Sequence, residues 1–296
     1  MKIIAPAKLN LFLHITDRRQ DHFHLLESLF VFTDFGDSIA ITPYKKLRIT
    51  FDGPYHHALS TEPISHNLVV RAAKLLIEKY SIHSGALIKV TKNIPIGAGL
   101  GGGSSNAAAT LIGLNRLWKL NLNITTLASL ALSLGADVPA CLYRQPLFAS
   151  GIGEIIQPVA FPFKTSCILL IKPNISLSTP TVFAQFQKIH ASYSAKIPQE
   201  NIPMNWSDFL CFLNNATNDL ELPAVTLLPL IQTLLTTLKT KTDCLLSRMS
   251  GSGSACFALY ENEIKAKKAL DIMQKLFPGF WIILTKIHWN DIHFIA

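Results

Sequence analysis

The stretch Asn93–Trp118 reads NIPIGAGLGGGSSNAAATLIGLNRLW, and its reading decides the fold. Five glycines, Gly97, Gly99, Gly101, Gly102 and Gly103, fall within seven positions, separated by Ala98 and Leu100. Glycines admit positive φ and let backbone amides come close to an anion. Ser104, Ser105 or Asn106 can cap the alanine-rich, amphipathic helix that follows. A glycine loop feeding a helix N-terminus is a phosphate cradle, because unpaired N–H groups and the helix dipole both favour negative charge.

Gly97, Gly99 and Gly102 spell the G-x-G-x-x-G of a dinucleotide site, but that site needs an acid about 20 residues on for the ribose. No Asp or Glu lies between Glu78 and Asp137. A P-loop needs Lys-Ser/Thr after its last glycine, and this loop has no lysine. A protein kinase needs H-R-D and D-F-G downstream, whereas Asp34-Phe35-Gly36 lies upstream and no H-R-D exists. A flexible linker fits poorly between an apolar strand and a well-patterned helix. The loop is a phosphate loop of a fourth kind.

With 296 residues, 49% of them hydrophobic, the chain is long enough for one large or two medium domains with real cores. A net charge of +8 suits anionic ligands. The charges are scattered, with Lys265, Lys267 and Lys268 as the nearest cluster on an ordinary helix face, so nucleic acid is not an expected partner. Five unclustered cysteines read as reduced, buried thiols. No apolar run suggests a signal peptide or a membrane span, so a cytoplasmic protein without membrane partners is expected.

Ile3–Ile15 alternates as a strand, which puts Lys8 and Asn10 on one face. They can serve a phosphate or a hydroxyl, but two polar residues facing solvent on an edge strand is the default. Asp17–His24 is a charged turn. Phe23 and His24 can grip a nucleobase by stacking and hydrogen bonding, or be a turn aromatic beside a surface histidine. His22 and His24 lack a third metal ligand.

Ile39–Thr42 and Leu47–Phe51 read as a hairpin. Asn67 or Ser65 caps a helix running to Tyr80, and Ala86–Val90 is the strand entering the loop. A helix starts at Thr125, and Asp137 beyond it is by default an N-cap, otherwise a base paired with a cation. Phe148–Ile156 closes a first domain of residues 1–156, and residues 157–296 form a second. In that second half, strand Cys167–Ile171 precedes a helix at Thr179-Pro180, helices Ser207–Asn214 and Pro223–Lys241, a second glycine-serine loop Arg248–Ala255, strand Cys256–Tyr260, helix Glu263–Leu276 and strand Trp281–Lys286. The whole reads as an α+β protein with a cleft between two domains.

APAKLNLFLHI from Ala5, PIGAGLGGGSSNAA from Pro95, LGADVPACL from Leu134 and SRMSGSGSACFA from Ser247 together resemble the GHMP small-molecule kinases. Asp21-His22-Phe23-His24 and Asn218-Asp219-Leu220-Glu221 narrow the resemblance to the branch acting on a cytidylated methylerythritol. It spans nearly the whole chain and implies a two-domain α+β GHMP kinase-like fold with its active site in the cleft. The reaction it implies moves the γ-phosphoryl group of ATP to the acceptor's 2-hydroxyl.

On that resemblance, Asp137 takes the hydroxyl proton while Lys8 steadies the emerging alkoxide. Asn67 lines the adenine pocket, and Pro95, Gly97, Gly99, Leu100, Gly101, Gly102, Gly103, Ser104 and Ser105 wrap the triphosphate. Asn10, Phe23, His24, Phe30 and Phe183 bind the acceptor, while Gly251, Ser252 and Gly253 close over its phosphate end. Magnesium is expected with ATP, held mainly through phosphates, with no dedicated protein site. His22 stands where the family has Gly, which bears on the turn before Phe23. Another GHMP kinase, with a homoserine, mevalonate or sugar acceptor, is the alternative.

Overall fold

The computed structural model describes residues 1–57, 63–159, 167–288 and 294–295. Its strands are β1 (Lys2–Arg18), β2 (His24–Tyr44), β3 (Arg48–Asp52), β4 (Gly85–Thr91), β5 (Leu147–Ser150), β6 (Ile155–Pro158), β7 (Cys167–Lys172), β8 (Leu246–Met249), β9 (Cys256–Tyr260), β10 (Trp281–Lys286) and β11 (Phe294–Ile295). Its α-helices are α1 (Leu68–Tyr80), α2 (Gly102–Leu117), α3 (Ile124–Leu132), α4 (Val138–Tyr143), α5 (Thr179–Lys188), α6 (Trp206–Asn215), α7 (Glu221–Leu227), α8 (Leu230–Lys241) and α9 (Glu263–Leu276). One sheet of seven strands runs β11-β1-β2-β4-β3, with β5 and β6 extending from β2. A second, four-stranded sheet has the order β10-β7-β9-β8.

β1 and β2 form a long antiparallel ribbon with register shifts between Pro6 and Lys8 and between Asn10 and Leu13. At the first shift β2 runs four residues, Gly36 to Phe32, against two of β1, and the ladder is interrupted. Before this interruption Ile3 and Ala5 pack into the core under α1–α4, and after it Ala7, Leu9 and Leu11, of the same parity, pack toward the second sheet. Leu13 and Ile15 reach a third core built on the second sheet and helices α5, α7, α8 and α9. This strand contributes to all three hydrophobic cores of the described residues.

Lys8 and Asn10 lie opposite Phe32 and Phe30 of β2. They do share a face, but both side chains are buried, and their amides donate to Leu100 O and Ser250 Oγ, not to solvent. The solvent-facing edge strand expected for them is therefore corrected.

The hairpin expected from Ile39–Thr42 and Leu47–Phe51 is also absent. β4 lies between β2 and β3, antiparallel to the first and parallel to the second. The linker Lys45-Lys46-Leu47 offers no two-residue turn chemistry, and the alternating Ala86, Ile88 and Val90 of β4 fill the central position.

Helix α1 starts where Asn67 Oδ1 accepts from Val69 N at 2.9 Å, and Val69, Ala72, Ala73 and Leu76 give its buried face. Helix α2 is not amphipathic, since every residue from Ser105 to Leu114 is buried. Its alanines and Gly113 permit that burial, because a Cβ on Gly113 would stand 2.4 Å from Ile41 Cδ1. The single helix expected over Pro223–Lys241 is two, α7 and α8, divided at Leu228-Pro229 where proline suits a helix start and not a helix interior. Cys211 is exposed and Cys244 half-buried, so only Cys141, Cys167 and Cys256 are the buried thiols expected. Among the described residues no helix is long and apolar enough to cross a membrane.

Candidate active site

A cavity of about 870 Å³ is lined by Lys8 and Asn10 of β1, the glycine loop, Asp137, Thr179 and Phe183 of α5, and the second glycine-serine loop. Lys8 Nζ lies 3.1 Å from Asp137 Oδ2 and donates to Asn10 Oδ1 at 3.0 Å. The ammonium also sits 4.5 Å from the Phe30 ring centroid, a cation–π contact. Asn10 Nδ2 donates to Ser28 Oγ at 2.8 Å, and Ser28 Oγ donates to the Phe12 carbonyl at 2.6 Å. A buried chain of donors and acceptors thus fixes the Lys8 head.

Asp137 occupies the residue before α4, yet its carboxylate caps nothing. The cap expected of it is corrected: the side chain turns to Lys8. With 38% of its side chain exposed, against 5% for Lys8, it is the partner open to the cavity.

The glycine loop enters α2 without a side-chain cap. Gly101, with φ 62°, holds the position before the helix, and the first intrahelical bond runs from Ser105 N to Gly101 O at 2.8 Å. The Ser104, Ser105 or Asn106 cap is thereby corrected, and the amides of Gly102, Gly103 and Ser104 are the unpaired first turn that an anion can meet. Gly101 must lack a side chain for a second reason, since a Cβ there would lie 3.1 Å from Lys8 Cβ. The loop carbonyls are occupied from elsewhere: Leu100 O accepts from Lys8 N at 2.9 Å, and Ala98 O from Ala255 N at 3.1 Å.

Beneath the loop lies a cluster that sequence reasoning missed. The Asp37 carboxylate is fully buried and accepts from Lys92 Nζ at 2.5 Å, Asn93 N at 2.6 Å, Ile94 N at 2.7 Å and Asn106 Nδ2 at 2.9 Å. It ties the strand before the loop to the helix after it. Lys92 also lines the cavity, and a Cβ on Gly102 would come within 3.1 Å of its Nζ. Burial pulls the Lys92 ammonium below its usual range, and Asp37 opposes that pull. The signal was present: Asp37 has the parity of buried Ile39 and Ile41, and Lys92 that of buried Ile88 and Val90. Opposite charges at core parity on adjacent strands call for each other.

His24, which also lines the cavity, stacks on Phe183 with centroids 4.9 Å apart and meets the edge of Phe186 at 5.8 Å. Phe23 is 59% exposed at the cavity rim. His22 has φ 72°, the left-handed region that glycine favours, so the turn keeps a glycine-type conformation. The second loop is set by Asn218, whose Nδ2 donates to Met249 O and Gly251 O, both at 2.8 Å, and by Glu221, which accepts from Met249 N at 3.0 Å. Ser250 Oγ bridges the two loops, donating to Gly99 O at 3.1 Å and accepting from Asn10 N at 3.3 Å.

Of the residues expected here, Lys8, Asn10, Phe23, His24, Phe30, Pro95, Gly97, Gly99 to Gly103, Ser104, Asp137, Phe183, Gly251 and Ser252 line one cavity. Asn67, Ser105 and Gly253 do not. The Asn67 side chain is engaged as the α1 cap, and neighbouring Leu68 lines the cavity instead. Ser105 is turned into the core, with a buried hydroxyl that has no hydrogen-bond partner among the described residues. Gly253 N donates to Ser250 O at 3.0 Å, inside its own loop. Arg18 and Thr179 line the cavity without having been singled out.

Residues 67–145 match the family model of the GHMP kinases N-terminal domain, and residues 204–279 that of the GHMP kinases C-terminal domain. The chain is 40% identical to 4-diphosphocytidyl-2-C-methyl-D-erythritol kinase of Paramagnetospirillum magneticum, with 95% of this chain and 96% of the relative covered. A crystal structure of 4-(cytidine 5'-diphospho)-2C-methyl-D-erythritol kinase superposes with TM-score 0.77 at 32% identity, covering 97% of this chain and all of the other. Homoserine kinase from Cytophaga hutchinsonii, at TM-score 0.74 and 18% identity over 98% of this chain and 95% of its own, shares the fold. The chain therefore belongs to the GHMP kinases, and within them to the 4-diphosphocytidyl-2-C-methyl-D-erythritol kinase family.

Proposed function

We propose that this chain transfers the γ-phosphoryl group of ATP to the 2-hydroxyl of 4-diphosphocytidyl-2-C-methyl-D-erythritol, in non-mevalonate isoprenoid precursor biosynthesis. The observation that carries the reading is a buried ammonium and a half-open carboxylate, 3.1 Å apart, in one cavity with the unpaired amides of a helix start. Asp137 takes the hydroxyl proton as the acceptor oxygen bonds to phosphorus and the bond to the β-phosphate oxygen breaks. Lys8 stabilises charge on the acceptor oxygen, and the loop amides hold the triphosphate in line, which is most of what phosphoryl transfer asks of a protein. Residues 1–156 carry the nucleotide loop in this reading, and residues 157–296 the acceptor side.

Magnesium fits this site as a phosphate-bound ion. Asp137 is the one carboxylate among the lining residues, and the described residues hold no group of three or more metal-binding side chains. Bound with ATP, the ion would offset phosphate charge while keeping several waters. The enzyme is proposed to work in the cytoplasm on small molecules, without nucleic acid. A mass-resolved transfer assay across the cytidylated acceptor, homoserine, mevalonate and hexoses tests the assignment. Phosphorylation of the cytidylated acceptor alone is expected, and turnover of another acceptor in its place would sink the reading.

A further inference from the structure

Arg18, Gln187 and His24 form a relay at the acceptor end of the cavity. Arg18 Nη1 donates to Gln187 Oε1 at 3.2 Å, and Gln187 Nε2 stands 2.7 Å from His24 Nε2. A guanidinium has five donors and no acceptor. The amide atom facing Arg18 must therefore be the carbonyl oxygen, which leaves the NH2 group facing the imidazole. An NH2 donor requires a lone pair on His24 Nε2, so the proton of the neutral ring resides on Nδ1.

We propose that Gln187, oriented by Arg18, is a positioning residue that locks His24 as the Nδ1–H tautomer, and that this presented donor makes the pocket selective for cytosine over uracil. The inference rests on the cytidylated acceptor of the proposed function. Cytosine carries a lone pair at N3, whereas uracil carries a hydrogen there. A fixed N–H donor pairs with the first and opposes the second, and discrimination by an unmatched polar group is stronger than discrimination by shape.

Three further observations support the lock. His24 lines the cavity, and among the described residues its Nδ1 has no protein hydrogen-bond partner. The ring is held between the face of Phe183 and the edge of Phe186, which restricts its rotation. Burial, and then the Arg18 charge, hold the imidazole below its ordinary range. Protonation would place an N–H against the Gln187 NH2 group, and rotating the amide to relieve that would turn the NH2 onto the guanidinium. Gln187 lies on α5, outside the cavity lining, so it acts through His24.

The test is nitrogen NMR of ring-labelled histidine in the full-length, substrate-free chain near pH 7.5. The expected His24 spectrum is that of a neutral ring protonated at Nδ1; a ring protonated at Nε2, or an imidazolium, overturns the proposal. Gln187→Met should release the lock and give mixed tautomers. It should raise the cytidylated acceptor's KM by about tenfold, the scale of one lost hydrogen bond. The preference for that acceptor over its uridylated analogue should narrow, with kcat moving less than KM. An unchanged preference in Gln187→Met overturns the proposal. Wild-type enzyme that leaves the cytidylated acceptor untouched would instead sink the proposed function, and the ring spectrum still decides the tautomer.

Discussion

Lys8 and Asp137 meet at 3.1 Å across a gradient of exposure, the ammonium buried and the carboxylate open to the cavity. Asp137→Asn removes the proton acceptor and should lower kcat by about 10²–10⁴-fold, the usual worth of a general base. Lys8→Ala should lower kcat comparably. Calorimetric ATP affinity should stay within a few-fold for both. Near-normal turnover in either variant would remove that residue from the reaction.

Asp37→Asn strikes the support beneath the loop. It leaves Lys92 buried without its counter-charge, and breaking a buried pair from one side costs about 3–5 kcal/mol. Chemical denaturation should show that loss, and ATP affinity should fall because Asn93, Ile94 and Asn106 lose their common acceptor. A stability change below about 1 kcal/mol, the size of an ordinary surface substitution, would mean the pair carries little.

The glycines of the loop are not equivalent. A Cβ on Gly99, at φ 71°, would stand 2.3 Å from Ser250 O, a backbone atom that cannot step aside. On Gly103 it would meet only Leu68 Cδ1, at 3.6 Å. Gly99→Ala should therefore cost both stability and turnover, and more than Gly103→Ala does. Equal effects on melting temperature and kcat would contradict the packing described between the two loops.

Phe23→Ala should raise the acceptor KM while leaving the melting temperature nearly unchanged, since the ring is 59% exposed. An unaltered KM would show that the ring serves the turn and not the ligand.

His14 sets a pH dependence. Thr217 N donates to His14 Nε2 at 3.2 Å, and burial, outweighing the pull of Asp219 and Glu27, lowers the imidazole from its ordinary 6.5. The unfolded chain then binds the proton first. Stability from this group is present above pH 6.5 and is lost as pH falls toward the lower folded value. Glu221, raised by burial, contributes in the opposite sense above its ordinary 4.5. Comparing wild type with His14→Gln in denaturant titrations from pH 5 to 8 isolates the histidine. The difference should shrink on acidification, and a constant difference would contradict the shift.

Much of the site was legible because it is local. The glycine loop, the Thr179-Pro180 helix start and the second glycine-serine loop each declare themselves within a few residues. Lys8 and Asn10 were rightly given one face, since strand geometry is periodic. Their burial was not legible, because the segments that close over this part of β1, at Leu100 and Ser250, lie about 90 and 240 residues further along the chain. The order β2-β4-β3 was hidden for a related reason: a strand inserted between two earlier ones leaves no mark on the segment joining them. Asp37 and Lys92 are 55 residues apart, and only the β2–β4 register turns their shared core parity into a pair. The Asn67 side chain went to a helix cap because that claim is made two residues away.

Interruptions of the β1–β2 register bracket Lys8 and Asn10, and their amides look elsewhere, to Leu100 O and Ser250 Oγ. The Lys8 ammonium is thus located jointly by segments more than a hundred residues apart. A chimera that joined the amino-terminal half of this enzyme to the carboxy-terminal half of a relative would inherit two sound bodies and a misaligned centre. Recombination within the family would succeed only where both loop partners of this short stretch travel together.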